Sequence, residues 1–181
     1  MLKNKKIIYI YGASGAGSTT LGRYICDKYN FKQIDTDDYF WKHKEEYSKR
    51  IEDMINDMKK TEKNGIVITG NFWNWNVDYN ELLKYIDLYV RMILKPEIRI
   101  QRLKKREHDR FGEEILPGGS RYEEHKEFIE WAKQYDYADA SVRSLKAHEY
   151  FEEKYNIQPI LLDSENTIEE NLEVVEENFF L

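Results

Sequence analysis

The sequence is poor in cysteine, proline and glycine, and it has no long apolar run. Its 181 residues include one cysteine, three prolines and nine glycines. The single cysteine, Cys26, has no partner for an internal disulfide, which excludes a disulfide-stabilised secreted scaffold. With 41% hydrophobic and 34% charged residues, collagen-like, low-complexity and disordered classes are also excluded. We therefore expect a single domain spanning residues 1–181.

The apolar runs are too short to cross a membrane. The longest, residues 7–11, is far below the roughly 20 residues that a transmembrane helix requires. No signal-peptide cleavage site precedes that run. Together with the single cysteine, these features predict a cytoplasmic protein with no membrane partner.

The net charge of −6 argues against a dedicated nucleic-acid-binding protein, and we expect no nucleic-acid partner. The charge is unevenly distributed, since residues 91–110 carry +5 and residues 149–181 carry −9. We expect a polyanionic ligand, if one binds, to lie at the basic segment.

Short apolar runs alternate with segments of helical periodicity, which is typical of parallel βαβ units. Residues 111–120 contain Pro117-Gly118-Gly119 and predict a mobile loop. The predicted strands are residues 6–11, 32–34, 66–69, 87–94 and 159–162, and the predicted helices are residues 19–30, 45–63, 96–108, 122–135, 142–155 and 167–178.

The most informative motif follows the first predicted strand and opens a helix. In that context a glycine-rich turn lets successive backbone N–H groups wrap a phosphate, although a turn without a ligand is the alternative. Gly12 and Gly17 have Walker A spacing, and Thr19 stands where the pattern has its Mg²⁺-binding hydroxyl. Ser18 stands where it has lysine, so the cation that reaches the β- and γ-phosphates is missing. The predicted phosphate-binding residues are Gly12, Ala13, Ser14, Gly15, Ala16, Gly17, Ser18, Thr19 and Thr20.

This turn, together with IDTDDYFW, VITGNFW and the arginines after Pro96, resembles the small P-loop kinases. The shikimate, gluconate, nucleoside monophosphate and adenylate-kinase-like proteins are the relatives concerned. The resemblance runs over roughly the whole chain, and the turn is its most specific part. It implies a three-layer α/β/α fold with a five-stranded parallel sheet of order 2-3-1-4-5. It also implies that ATP and Mg²⁺ are the cofactors. It further implies a helical lid, which we expect at about residues 106–121.

Carboxylates follow the second predicted strand, where parallel sheets gather ligands. The pair Asp35 and Asp37 is similar to the Asp-x-Asp of shikimate kinases, which implies a metal role for Asp35. The same match makes Asp37 a candidate for orienting an acceptor hydroxyl and accepting its proton. One of these acids could instead only cap the next helix, which is the favoured interpretation for Asp38.

The resemblance places aromatic residues around the acceptor, which suggests a planar or partly apolar molecule. An equally weighted alternative is that these rings belong to the core. The predicted substrate-contacting residues are Asp37, Phe40, Trp41, Gly70, Asn71 and Trp73.

The lid of this kinase class grips phosphates with arginine, whose planar fork binds them in a bidentate way. Arg99, Arg102 and Arg106 share one helix face by their spacing. Arg106 and Arg110, nearest the Gly-Gly loop, are the candidate catalytic arginines, and one of them could replace the missing lysine. A solvated basic face is the alternative.

The sequence thus predicts a kinase transferring the γ-phosphoryl group of ATP to a small hydroxyl- or phosphate-bearing acceptor. The alternative is a nucleotide-binding P-loop protein with attenuated or no kinase activity, which Ser18 favours. The chain is expected to be a monomer or a homodimer.

Overall fold

A computed structural model of the protein describes residues 2–75 and 77–180. Five strands alternate with helices along the chain, as the apolar periodicity predicts. The strands are β1 (Lys6–Gly12), β2 (Lys32–Asp35), β3 (Gly65–Thr69), β4 (Leu88–Ile93) and β5 (Ile160–Asp163). The helices are α1 (Ser18–Tyr29), α2 (Thr36–Lys42), α3 (Tyr47–Lys60), α4 (Asn80–Leu83), α5 (Pro96–Phe111), α6 (Tyr122–Lys133), α7 (Leu145–Lys154) and α8 (Ile168–Phe179).

The sheet is parallel throughout and has the order β2-β3-β1-β4-β5, so the predicted fold is confirmed. Strand β1 lies at the centre, with Ile8 opposite Val67 of β3 and Leu88 of β4. Helices cover both faces, which is why the central strands are apolar without alternation. Residues 7–12 and the whole of β3 are buried.

Two apolar clusters pack against the two faces of the sheet. One contains Ile7, Tyr9 and Tyr11 of β1 with α3 and the segment after β3. The other contains Ile8 and Ile10 of β1 with α1 and α8. Cys26 is buried in the second cluster.

Several helix boundaries differ from the predicted ones for identifiable reasons. Helix α7 begins at Leu145 rather than 142, because the Ser144 side chain accepts a hydrogen bond from the backbone N–H of Ala147 and caps it. Helix α5 continues to Phe111, and residues 112–115 form a 3-10 turn where a loop was predicted. The predicted helix at 167–178 is confirmed as α8, which starts with a capping box formed by Thr167 and Glu170.

Within the described residues, no helix combines the length and apolar character that crossing a bilayer requires.

Candidate functional site

The glycine-rich turn lies at the carboxyl end of β1, the central strand, and leads directly into α1. Gly15 and Gly17 have φ of +85° and +95°, a left-handed conformation that non-glycine residues rarely adopt. A side chain at Gly15 would also lie 2.9 Å from Leu103 Cγ of α5. The turn therefore needs glycine both for its backbone conformation and for close packing of α5 on it.

The first turn of α1 has no side-chain cap. Its N-cap residue is Gly17, which offers no acceptor, and no acidic residue lies in the first turn. The first hydrogen bond into the helix runs from the Leu21 N–H to the Gly17 carbonyl at 3.0 Å. The N–H groups of Ser18, Thr19 and Thr20 are therefore left without intrahelical acceptors. An anion at this helix end would satisfy them.

Thr19 and Asp35 face each other across the end of the sheet. Thr19 Oγ1 lies 3.5 Å from Asp35 Oδ2. The other carboxylate oxygen, Asp35 Oδ1, accepts a hydrogen bond from the Asp37 N–H at 3.0 Å and caps α2. Burial raises the pKa of Asp35, against the opposing effect of that hydrogen bond. Asp35 thus caps α2 and also faces the glycine-rich turn, and its metal role stays a prediction.

A cavity of about 650 Å³ opens between the phosphate turn, the end of β2 and α5. Asp37, whose side chain is exposed, lies in its wall together with Asp35 and Gly70. The residues that line this cavity, called here the phosphate cleft, are Ala13, Ser14, Gly15, Gly17, Ser18, Thr19, Thr20, Asp35, Asp37, Gly70, Arg102, Leu103, Arg106 and Arg143. Of the predicted phosphate-binding residues, Gly12 and Ala16 are outside this lining and are buried behind it.

The arginines of α5 divide into different environments. Arg99 is fully buried, pairs with Asp136 and donates to the Ala132 carbonyl at 2.9 Å, so it holds α5 against α6. Arg102 and Arg106 line the phosphate cleft. Arg110 is outside that lining, and its guanidinium lies over the ring of Phe111 at 5.3 Å. The structure therefore brings Arg106 to the cleft but not Arg110, because α5 extends past the cleft before it ends.

The predicted acceptor aromatics do not line the phosphate cleft. Trp73 is 6% exposed and packs in the core with Phe72 and Tyr9, so its ring lies away from the cleft. The aromatic-rich segment after β3 turns inward because Tyr9 and Tyr11 of β1 offer it a buried aromatic surface. Phe40 and Trp41 of α2 are exposed at 36% and 63%, and neither lines the phosphate cleft.

Asn71 is held by a chain of buried polar groups. Its Oδ1 accepts a hydrogen bond from His148 Nε2 at 3.2 Å, and His148 Nδ1 lies 2.9 Å from the Tyr135 hydroxyl. Because an amide oxygen only accepts, Nε2 carries the proton and the Tyr135 hydroxyl donates to Nδ1. Burial, with Arg143 and Arg91 nearby, lowers the pKa of His148 well below its usual value, so the ring is neutral at physiological pH.

Arg143 is the residue of the cleft that the sequence analysis missed. It lies just before α7, and its Nη2 donates to the carbonyl oxygen of Gly12 at 3.0 Å. Nothing around it in the sequence, SVRSLK, marks it as a ligand-binding residue. Only the packing of α7 beside the end of β1 brings it to the phosphate turn.

The sequence matches no protein-family model. It is 34% identical over 175 residues to the uncharacterized protein YqaC of Bacillus subtilis, with 94% of this chain and 96% of YqaC covered. The chain belongs to the YqaC family. The similarity to YqaC extends over nearly the full length of both chains.

Solved structures of two kinases share the fold of this YqaC-family chain. Shikimate kinase from Bacteroides thetaiotaomicron aligns over 97% of this chain and 99% of its own, with a TM-score of 0.58 and 22% identity. Deoxyadenosine kinase from M. mycoides with bound dATP aligns over 97% of this chain and 100% of its own, with a TM-score of 0.55 and 18% identity. The fold is therefore that of the small-molecule P-loop kinases.

Proposed function

We propose that the protein is an ATP- and Mg²⁺-dependent kinase that transfers the γ-phosphoryl group to a small hydroxyl- or phosphate-bearing acceptor. The observation that carries this proposal is the uncapped start of α1 behind a left-handed glycine turn, which opens into a cleft containing both carboxylates and arginines. The bound dATP of the similarly folded M. mycoides deoxyadenosine kinase supports a nucleotide in such a cleft.

The residues present fit a nucleotide with Mg²⁺. Backbone N–H groups of the turn would bind phosphate oxygens, as helix N-termini do. Thr19 and Asp35 offer two oxygen ligands on one side of the cleft, and Mg²⁺ is commonly held by one or two protein oxygens, phosphates and water. Within residues 2–75 and 77–180 no cluster of three or more His, Cys, Asp or Glu could hold a metal by itself. A metal would thus bind together with the nucleotide. When bound, it would neutralise charge on the phosphates.

The remaining roles fall to side chains that line the cleft. Asp37 is exposed to it and would orient an acceptor hydroxyl and take its proton. Arg102 and Arg106 would bind phosphate oxygens from the α5 side. Phosphoryl transfer depends mostly on positioning and charge stabilisation, and residues suited to both line one cavity.

Calorimetric titration with Mg-ATP, followed by coupled ADP release across nucleosides, nucleotides and hydroxylated metabolites, tests the proposal. Binding and acceptor-dependent ADP release are expected. Absence of binding at millimolar Mg-ATP would refute it.

An Asp37→Asn variant should bind Mg-ATP like the wild type but lose acceptor-dependent turnover at least 100-fold. Asp38→Asn is the matched control, because Asp38 is exposed on the same helix and lies outside the phosphate cleft. Equal turnover in both variants would remove Asp37 from the mechanism.

Ser18 favours a second candidate, a nucleotide-binding protein with attenuated or no kinase activity. In that case the wild type binds Mg-ATP without turnover with any acceptor, and Ser18→Lys creates activity. Turnover by the wild type excludes this candidate.

A further inference from the structure

The phosphate turn lacks the lysine that P-loops place beside the nucleotide, and position 18 is serine. A cleft built to bind several phosphate charges needs a cation in a defined position, since a mobile surface charge is screened by water and salt. The arginines that line the cleft are Arg102, Arg106 and Arg143.

The two arginines of α5 are exposed and partly engaged elsewhere. Arg102 Nη2 donates to the Ser164 carbonyl at 2.9 Å. Arg106 is paired with Glu107 at 3.0 Å, and its side chain is 53% exposed. Their positions on a solvent-facing helix make them adjustable contacts rather than a fixed charge.

Arg143 has the opposite character. It is half-buried, with its Nε inaccessible to solvent, and its Nη2 donates to the carbonyl of Gly12, the first residue of the phosphate turn. Its Nε has no hydrogen-bond partner among the described residues, and none of their carboxylates lies within the 4.0 Å of an ion pair with it. A guanidinium whose Nε is withdrawn from water without a hydrogen-bond partner or a counter-ion is costly, so the site favours an incoming anion.

The surroundings of Arg143 strengthen that conclusion. Burial lowers its pKa, and Asp37, which lines the same cleft, is the largest opposing influence. The guanidinium nevertheless stays charged near neutral pH, because arginine titrates several pH units higher. Asp37 is exposed rather than paired with it, which leaves the charge available to a ligand between them.

We infer that Arg143 supplies the phosphate-binding cation that position 18 lacks, reaching the nucleotide's phosphate chain from the β1 side of the cleft instead of from α1. The inference rests on the proposed function, since it assigns a residue to the same nucleotide. It predicts that the affinity for the phosphate chain, rather than for the nucleoside, depends on Arg143.

Calorimetry with three probes tests this inference: Mg-ATP, Mg-tripolyphosphate and adenosine. Arg143→Gln should weaken binding of Mg-ATP and tripolyphosphate at least tenfold and leave any adenosine binding unchanged. Arg143→Lys, which keeps the charge, should lose less. Arg23→Gln removes one charge from an exposed position of α1 and should bind all three probes like the wild type.

A second variant separates charge from architecture, because Arg143 also holds the Gly12 carbonyl. In an Arg143→Gln background, Ser18→Lys restores a cation from the α1 side and should recover tripolyphosphate affinity to within about threefold of wild type. Thermal melting and near-ultraviolet circular dichroism establish that each variant is folded.

The outcomes separate the inference from the proposed function. If the wild type binds neither Mg-ATP nor tripolyphosphate at millimolar concentration, the proposed function fails and this inference with it. If the wild type binds but Arg143→Gln binds tripolyphosphate within twofold of it, only the inference is overturned. A folded double variant that still binds tripolyphosphate weakly also overturns the inference in favour of a structural role for Arg143. The same holds if Arg143→Gln is too unstable to fold and Ser18→Lys does not restore folding.

Discussion

Replacing Gly70 with alanine should destabilise the protein through two separable costs. Gly70 has φ of +101°, and a Cβ there would overlap Thr36 Oγ1 well inside van der Waals contact. The left-handed backbone costs a non-glycine residue about 1–2 kcal/mol. Relieving the overlap adds about 1–3 kcal/mol, as overpacking does in other cores. A total near 3 kcal/mol would lower Tm by about 6–12 °C for a chain of this length.

Two further variants isolate these costs. Gly118→Ala is the control for the backbone cost alone, because φ there is +90° and, its chain neighbours aside, no atom of the described residues lies within 4 Å of the added Cβ. Thr36→Ala removes the overlapping hydroxyl, which is buried and has no hydrogen-bond partner among the described residues. When Gly70→Ala is made in the Thr36→Ala background, the overlap is absent, so the Gly70 substitution should cost only the backbone strain.

Free energies of unfolding from urea titrations of the single and double variants measure the coupling. The double variant should be more stable than the sum of the single effects by about 1–3 kcal/mol. Additivity within about 0.5 kcal/mol, or a Gly70→Ala cost no larger than that of Gly118→Ala, would refute the reasoning. Because Thr36 opens α2 between Asp35 and Asp37, the overlap should also weaken Mg-ATP binding in the single variant but not in the double.

Three more outcomes are expected. Thr167→Ala, which breaks the capping box of α8, should cost about 1 kcal/mol in urea titrations, and a change below about 0.3 kcal/mol would contradict the cap's role. Burial raises the pKa of Cys26 to about 11, so its alkylation at pH 8 should be at least 100-fold slower in the native than in the urea-unfolded protein; equal rates would contradict this. The hydrogen bonds from Lys42 and His43 lower the pKa of Asp53 to about 2, so wild type should exceed Asp53→Asn in stability at pH 7 and lose that advantage as pH falls from about 4 toward 2. A difference in urea midpoint that stays constant between pH 7 and pH 3 would refute the pairing.

The sheet was predictable because its signals are local. Each strand is a short apolar run, and the glycine-rich turn marks where the first strand ends. The carboxylates and the turn of the phosphate cleft were predictable for the same reason, since Asp35 ends β2, Asp37 lies two residues beyond it and the turn directly follows β1. Local patterns of this kind show where a residue lies relative to the end of its strand, and they do so whatever packs beside that strand.

The parts that depended on tertiary packing could not be obtained in this way. Arg99 shares the spacing of Arg102 and Arg106 but turns into the interface between α5 and α6, where Asp136 pairs with it. Trp73 lies four residues after the end of β3, yet it packs against the aromatic surface of β1. Arg143 reaches Gly12 across 131 positions of sequence, a separation that no local pattern reveals.

The contact between Gly15 and Leu103 has a consequence for how this family can vary. A residue larger than glycine at position 15 leaves no room for leucine at 103, and a smaller residue at 103 opens space above the turn. The two positions should therefore change together among homologues, with any alanine or serine at 15 accompanied by a reduced side chain at 103. A helix 88 positions later in the chain thus limits which sequences the phosphate turn can adopt during evolution.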